Sequence, residues 1–194
     1  MSAEAKKRTA RSREAILQAA LDLNAERGYA AVGMDAIATR ARVGKPTLYR
    51  WWPSKGALYL DVLQDRVVEP YIVWPDTGDF VADLHTWIRG FAEMFSNPDL
   101  RQLLIGVVGT AQHDPDLARL IRERIHAPQR AKNLERITAA QQAGQLPRLD
   151  PGILEELLVA PQWYRLLVSG EPFTVEYADT LVAIVLGLNA ANGS

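Results

Sequence analysis

Apolar residues recur at three- and four-residue spacing through most of the chain, which is the spacing of one face of an α-helix. The first such segment covers residues 11–27 and stops at Gly28, a residue typical of helix ends. Its apolar positions are Ile16, Leu17, Ala20, Leu21 and Leu23. No segment alternates apolar and polar residues between hairpin turn residues, so no strand is required. The pattern predicts an all-α protein.

Two short helices follow the first one. A helix is predicted at residues 34–41 with Gly33 as its cap, and another at residues 44–52, where Pro53 ends it. Only a tight turn separates the two. Two short helices joined in this way are typical of the helix-turn-helix motif.

Caps and breakers divide the remainder of the chain. Ser54 is suited to cap a connecting helix that ends near residue 68, before Pro70, Pro75 and Gly78. Further helices are predicted at residues 79–95, 99–110, 114–143, 150–170 and 174–188. Pro128 is expected to kink or split its helix, and Pro161 to kink its own. Residues 99–110 are so uniformly apolar that burial on most faces is expected. We therefore predict a helix-turn-helix domain at residues 1–54, a connecting helix at 55–68 and a larger helical domain at 69–194.

The charge is distributed unevenly along the chain. Residues 1–55 carry eleven Lys or Arg and five Asp or Glu, whereas residues 56–194 carry eleven and eighteen. The resulting balances are +6 and -7, although the whole chain has a net charge of only -1. A basic end of this size is expected to contact phosphates, while the acidic remainder argues against coating of nucleic acid along the whole chain.

The residue types exclude several classes of protein. The chain has 194 residues and no cysteine, which excludes a disulfide scaffold, Cys-ligated zinc and thiol chemistry, and fits a cytoplasmic location. Its longest apolar runs are far shorter than the roughly 20 residues that span a bilayer, so no membrane association is expected. The basic N-terminal residues lack the apolar core of a secretory signal.

The helix at residues 44–52 has the dimensions and the polarity of a DNA-reading element. Its length of roughly 13 Å is close to the roughly 12 Å width of the major groove. Helical spacing predicts Leu48 and Trp52 as anchors in the core. Pro46, Thr47 and Arg50 then face outward, where they are suited to contact bases. The residues suited to phosphates are Tyr49, Lys55 and Lys45.

The N-terminal part of the chain, including this helix, resembles the TetR family of bacterial transcriptional regulators. The resemblance covers residues 16–63 and rests on features that occur together in order: the Gly28-Tyr29 turn, Ala36-Ile37-Ala38, residues 43–49, two aromatic residues and Ser54-Lys55. A weaker similarity to members of the family lies in residues 161–172.

The resemblance implies roles for individual residues. Pro46, Thr47, Tyr49, Arg50 and Trp51 match positions that contact bases or backbone in the family, and Lys55 matches a phosphate-contacting lysine; Trp51 is equally compatible with a core role. Arg42 lies where the family usually carries Gly. We therefore expect either a strained left-handed Arg42 or a different turn geometry.

The resemblance also implies that the acidic helical part forms a homodimer and binds a small-molecule effector. A dimer fits the physics of DNA reading, because two recognition helices about 34 Å apart read a palindrome. The predicted dimer residues are Leu157, Trp163, Tyr164, Leu181, Val185 and Leu186, although an internal core is the alternative. The predicted effector pocket contains Tyr59, Leu63, Trp87, Phe91, Phe95, Leu104, Val107, Ile121, Ile125 and Trp163, a composition that pockets share with ordinary cores.

These observations favour a ligand-responsive regulator of transcription, most simply a repressor that binds a double-stranded DNA operator and is released by a small apolar effector. The alternative is a helical interaction module that does not bind DNA. An enzyme is not expected, because His85, His113 and His126 show no metal-ligand spacing and no nucleophile motif is present. No cofactor and no metal ion are predicted.

Overall fold

The computed structural model describes residues 3–191, with side chains described for residues 10–187, and all its elements within that range are helical. The ten α-helices are α1 (Ala3–Arg27), α2 (Met34–Arg40), α3 (Lys45–Trp51), α4 (Lys55–Leu63), α5 (Phe80–Ser96), α6 (Pro98–Ala111), α7 (Pro115–Ile121), α8 (Ala127–Gln142), α9 (Pro151–Tyr164) and α10 (Val175–Ala191). The predicted all-α fold, with an N-terminal helix-turn-helix and a larger helical region behind it, is confirmed. In the described range no helix is long and apolar enough to cross a bilayer.

Shorter helical turns connect several of these helices. A 3-10 turn, Tyr29–Ala31, follows α1. Wider π-helical turns extend α4 through Gln64–Ile72, join α7 to α8 through Arg122–His126, and extend α9 through Arg165–Ser169. The connecting helix therefore runs to residue 72 rather than ending near 68. Pro70 is tolerated there because the wider turn moves the preceding carbonyls away from the proline ring.

The predicted helix caps are present. Ser54 Oγ accepts a hydrogen bond from the Ala57 backbone N–H at 3.1 Å, and Asp114 Oδ1 accepts one from Leu117 at 3.0 Å. Asp150 in the same way begins α9. These short-range bonds satisfy N–H groups that the first turn of a helix leaves free, which is why the sequence alone locates these helix starts.

One compact unit consists of residues Met1–Val67 and Pro98–Ile125. Its core forms where α1 packs against α2, α4 and α6. Helix α6 comes close to the turn after α1, since a Cβ built on Gly106 would lie 2.9 Å from Cβ of Tyr29. The expectation that α6 is buried on most faces is wrong, because Ile105 is 38% exposed. Its buried residues, Leu100, Leu103, Leu104, Val107 and Ala111, occupy a single side.

The second compact unit consists of residues Val68–Asn97 and His126–Ser194. Within it α10 packs against α5 and α9, and α9 packs against α8. Arg89 on α5 donates two hydrogen bonds of 2.7 Å to the Asp179 carboxylate on α10. The Trp74 and Trp87 rings stack with centroids 4.4 Å apart.

The compact units and the predicted domains do not have the same boundaries. Residues 98–125 pack with the N-terminal helices, although the sequence groups them with the domain at residues 69–194. A packing unit is defined by contacts and a domain by independent folding or function. The domains at residues 1–54 and 69–194 therefore stay a prediction.

Candidate nucleic-acid interface

The turn between α2 and α3 is closed by backbone hydrogen bonds. The backbone N–H groups of Arg42 and Val43 donate to the carbonyls of Thr39 at 3.1 Å and Ala38 at 3.0 Å. This paired arrangement is the Schellman motif, which requires a left-handed residue directly after the helix cap. Arg42 takes that position with φ 55°, and it is the one non-glycine residue in the described range with positive φ. Of the two alternatives expected for this turn, the structure has the left-handed Arg42, at a cost of about 1–2 kcal/mol relative to glycine.

Two anchors fix α3 on the N-terminal unit. Leu48 is fully buried and Trp52 is 3% exposed, as the helical spacing predicts. The indole Nε1 of Trp52 donates a hydrogen bond to Oδ2 of Asp61 on α4 at 3.0 Å. The burial of two large apolar side chains with a hydrogen bond at one end determines both the depth and the rotation of α3.

The opposite side of α3 is open to solvent. Pro46 and Arg50 are exposed, and Tyr49 is 47% exposed. Thr47 is half-buried. In the described range, no hydrogen bond or ion pair involves the Arg50 guanidinium. This side of α3 therefore offers an unpaired cation, a phenol and a rigid apolar ring to a partner.

Trp51 lies between the anchors and the open side. It is half-buried, and its ring meets Trp52 edge to face with centroids 5.4 Å apart at 62°. The contact orients the Trp51 indole without covering it completely. Both roles considered for Trp51 remain compatible with this position.

The two lysines predicted to contact phosphate already have protein partners. Lys45 Nζ lies 2.6 Å from Oδ2 of Asp35, and both side chains are more than 60% exposed. Lys55 Nζ donates to the carbonyls of Tyr29 at 2.8 Å and Val32 at 3.1 Å, and lies 4.2 Å from the centroid of the Tyr29 ring. Burial lowers the pKa of the Lys55 ammonium. The Lys45 pair is exposed and readily exchanged, whereas Lys55 has only one free N–H.

Asp61 connects several segments of the N-terminal unit. Besides accepting the hydrogen bond from Trp52, its carboxylate forms ion pairs with two guanidinium groups. The Arg13 guanidinium of α1 lies 3.4 Å from Oδ2, and that of Arg124, in the π-helical turn after α7, lies 2.8 Å from Oδ1. One carboxylate thus joins the end of the candidate reading helix to two other segments. Sequence reasoning missed this role, since Asp61 is separated from Arg13 and Arg124 by 48 and 63 positions and no local pattern marks it. It also missed Arg42 as an exposed cation beside α3.

The residues predicted to form an effector pocket occur in both compact units. In the N-terminal unit, Tyr59, Leu63, Leu104 and Val107 are buried, and Ile121 and Ile125 are half-buried. In the second unit, Trp87 and Phe91 are buried, and Phe95 and Trp163 are half-buried. Two polar atoms in this set already have protein partners: the Tyr59 hydroxyl donates to Ala20 O at 3.0 Å and the Trp87 indole to Ile72 O at 2.9 Å.

The predicted dimer residues differ in exposure. Leu157 and Tyr164 are 44% and 59% exposed, and Trp163, Leu181 and Leu186 are half-buried. Val185 is 2% exposed and belongs to the core of its own unit, because α10 turns that position toward the other helices; Ile184 beside it is 57% exposed. From α9 to the described part of α10, the exposed large apolar side chains are Ile153, Leu157, Tyr164, Leu167, Val168, Val175 and Ile184.

A short helix-turn-helix, with an anchored second helix that exposes Pro46, Tyr49 and Arg50, defines the class of helix-turn-helix transcriptional regulators. In the described range, no group of three or more His, Asp or Glu residues could hold a metal ion.

Family models identify the family within this class. A model described as "Bacterial regulatory proteins, tetR family" matches residues 16–62, and one described as "Tetracyclin repressor-like, C-terminal domain" matches residues 74–185. The second match alone covers more than half of the chain. The chain belongs to the TetR family of transcriptional regulators.

Individual relatives agree with this assignment. The uncharacterized HTH-type transcriptional regulator YdeS of Bacillus subtilis is 34% identical over 170 residues, which cover 87% of this chain and 85% of YdeS. The HTH-type transcriptional repressor SCO4008 of Streptomyces coelicolor is 30% identical over 161 residues, 80% of this chain and 82% of SCO4008. The TetR family transcription regulator SCO0332, known from a crystal structure, is 37% identical in sequence to this chain. The two structures superpose with a TM-score of 0.72 over 91% of this chain and 97% of the SCO0332 chain.

Proposed function

We propose that this regulator is a homodimeric repressor that binds a palindromic operator and is released by a small apolar effector. The observation that supports DNA binding is the open side of α3. Pro46, Tyr49 and Arg50 are exposed there, and the Arg50 guanidinium has no partner among the described residues. The repressor direction is supported by the similarity to SCO4008, which is named a repressor.

The proposed reading of DNA assigns a different task to each side chain. Arg50 donates two hydrogen bonds to O6 and N7 of a guanine, and Pro46 and the methyl group of Thr47 contact thymine methyl groups. Tyr49 and Lys45 contact phosphates, with Lys45 exchanging Asp35 for the DNA. Lys55 contributes only its remaining N–H, and Trp51 covers the edge of the contact.

The proposed dimer places two copies of α3 about 34 Å apart on successive turns of one face of the DNA. The exposed apolar residues of α9 and α10 support this dimer, because exposed side chains such as Leu157, Tyr164 and Ile184 are typical of a surface that another subunit covers. The interface proposed from the sequence is retained with Ile184 in place of the buried Val185.

The proposed effector is a small apolar molecule, and the ten residues named above as its contacts stay a prediction. Release from DNA requires that the effector bind more tightly to a conformation whose two α3 helices are wrongly spaced. An apolar effector fits these predicted residues, because the Tyr59 hydroxyl in one unit and the Trp87 indole in the other already donate to backbone carbonyls.

The competing function is a helical interaction module that does not bind DNA. The two functions differ in salt dependence, because counterion release makes DNA affinity fall steeply with salt concentration. Substitution of Arg50 distinguishes the two functions, because only a DNA-reading protein should lose affinity for one duplex sequence more than for others.

The experiment first selects a duplex from a randomised pool with the wild-type chain, and then measures binding by fluorescence anisotropy over a range of salt concentrations. We expect Arg50→Ala to weaken binding to the selected duplex by roughly 10- to 100-fold and to change binding to random duplex much less. Arg148→Ala, an equal charge change at an exposed position of the other unit, is the control. Selection of no preferred duplex, or equal affinity for selected and random DNA, would refute the proposed function.

A further inference from the structure

Arg42 combines an unfavourable backbone with an unused charge. Its φ of 55° is a conformation that L-residues other than Asn and Asp rarely adopt, and the Schellman motif at this position is satisfied better by glycine. Its side chain is exposed, and within the described range it makes no hydrogen bond, ion pair or ring contact. The backbone hydrogen bonds of the turn hold this conformation, but no contact of the Arg42 side chain with the described residues offsets its strain.

The neighbouring cations differ from Arg42 in this respect. Arg40, two residues earlier, lies 2.8 Å from Glu26, and Lys45, three residues later, lies 2.6 Å from Asp35. Both cations are partly neutralised by acidic side chains of the chain itself. Of the basic residues between α2 and the end of α3, only Arg42 and Arg50 have guanidinium groups without an internal acidic partner in the described range.

The position of Arg42 suits a contact with the DNA backbone. In helix-turn-helix proteins the N-terminal residues of the second helix contact base edges in the major groove, and the first helix crosses the sugar-phosphate backbone, so the turn between them lies near the edge of the groove. Arg42 lies in the turn between the two helices, two residues before Gly44, which caps α3. Its side chain is long enough to reach a phosphate at the edge of the groove, where the guanidinium can donate two parallel hydrogen bonds.

We propose that Arg42 is a DNA-phosphate contact that anchors the turn before α3, and that this contact is the reason a strained residue stands at a position suited to glycine. The inference rests on the proposed DNA-binding function and extends it to a residue outside the reading helix. Strain at a functional position is expected when the side chain contributes to the bound state and the surrounding hydrogen bonds hold the backbone in place.

Three variants separate the charge of Arg42 from its strain. Arg42→Gly removes both, Arg42→Ala removes only the charge, and Arg42→Lys keeps both. We expect Arg42→Gly to raise Tm by roughly 2–8 °C, while Arg42→Ala and Arg42→Lys leave it nearly unchanged. Binding to the duplex selected with the wild-type chain is measured for each variant against salt concentration, beside binding to a random duplex.

We expect Arg42→Gly and Arg42→Ala to weaken binding to both duplexes by a similar factor of roughly 10. The slope of log K against log salt should fall by about 1.8, which is about 0.9 for the one phosphate contact in each subunit of the proposed dimer. Arg42→Lys keeps the slope. Wild-type affinity and slope in Arg42→Ala would overturn the proposal, and so would a loss confined to the selected duplex, which indicates a base contact. Failure of the wild-type chain to select any duplex would instead refute the proposed DNA-binding function itself.

Discussion

At the scale of single residues, the sequence identifies which side chains carry a charge but not which of these charges are already paired. Lys45 and Lys55 have the same chemistry and lie at the two ends of one short segment. Lys45 forms an exposed ion pair, whereas the Lys55 ammonium bridges two carbonyls of the turn after α1. The difference arises from contacts with residues 23 and 26 positions away, which no local pattern encodes.

This difference predicts unequal losses of stability. Lys55→Met removes two charge-assisted hydrogen bonds and leaves the Tyr29 and Val32 carbonyls to find new partners, so we expect the free energy of unfolding to fall by about 1–3 kcal/mol. Lys45→Met removes an ion pair that water and salt already screen, and we expect little change. Urea denaturation of the two variants measures the difference. Equal losses would contradict a structural role for Lys55.

Tyr29 predicts how stability depends on alkaline pH. Burial, with a smaller contribution from Asp114, raises the pKa of the Tyr29 phenol to about 12 from its ordinary value of 10.0. Burial also raises the pKa of Tyr59. Because the folded state keeps these protons while the unfolded state releases them, stability is complete below pH 10 and declines as the pH rises toward the raised values.

We expect each of these tyrosines to contribute up to about 1.4 kcal/mol per pH unit to that decline. Tyr29→Phe keeps the ring beneath the Lys55 ammonium and removes the titrating group, so the variant should lose stability less steeply between pH 10 and 12. Chemical denaturation at a series of alkaline pH values measures the slope. The same slope in the variant and the wild-type chain would show that Tyr29 does not titrate in this range.

At the scale of the helix, the sequence predicts the beginnings of helices well and their faces less well. Ser54, Asp114 and Asp150 cap helices where expected, because a cap depends on two or three neighbouring residues. The face of α6 depends on what lies against it. The apolar sequence of α6 resembles that of a helix buried all round, yet only one side of it packs in the N-terminal unit.

Two glycines of α6 test that packing. The alanine methyl of Gly106→Ala would lie 2.9 Å from Cβ of Tyr29, so helix and turn must separate, and we expect a loss of about 1–3 kcal/mol in stability. Gly109→Ala, one turn later, meets no atom within 4 Å and should gain about 0.5–1 kcal/mol from helix propensity. Thermal or urea unfolding of both variants measures whether each substitution lowers or raises the free energy of unfolding. Stabilisation by Gly106→Ala would mean that α6 does not approach the Tyr29 turn as described.

The attachment of α3 also belongs to this scale. Its length and its anchors, Leu48 and Trp52, follow from helical spacing and are correctly predicted. The carboxylate that holds the indole of Trp52 is not predicted, since Asp61 shows only the spacing of an ordinary exposed residue on α4. The local sequence thus predicts that a helix forms. The hydrogen bonds that orient the helix depend on tertiary contacts with residues elsewhere in the chain.

At the scale of the whole molecule, the charge asymmetry and the fold class are accessible from the sequence, and the grouping of the helices is not. Residues 98–125 follow the apolar helix α5 directly, so the sequence joins them to it. Their contacts instead lie with α1, α4 and the Tyr29 turn. Chain order favours neighbours, but burial of the α6 face against α1 decides which helices associate.

The sequence also does not reveal which side of α9 and α10 faces the core. Helical periodicity identifies the apolar residues of these helices, yet it cannot separate the inward side from an outward side that is equally apolar. Val185 and Ile184 are adjacent and both apolar, but one is 2% and the other 57% exposed. Only the packing of α10 against α5 and α9 distinguishes a core residue from an interface residue.

Ile184 therefore provides the test of the proposed dimer. In a two-fold symmetric interface each substitution appears twice, so Ile184→Glu introduces two carboxylates that must lose water on association and repel each other. We expect the dimer dissociation constant, measured by analytical ultracentrifugation, to rise by roughly 100-fold or more. Binding to a palindromic duplex should weaken in parallel, while binding to a single half-site should change little.

Val73→Glu is the matched control, because Val73 is 53% exposed in the same unit and receives the same added charge without lying on α9 or α10. We expect this variant to dimerise like the wild-type chain. If both variants dissociate equally, the effect is one of net charge; if Ile184→Glu remains dimeric, subunits associate through another surface. A monomeric Ile184→Glu chain that unfolds at the wild-type urea concentration under monomeric conditions would show that the substitution acts at the interface and not on the fold.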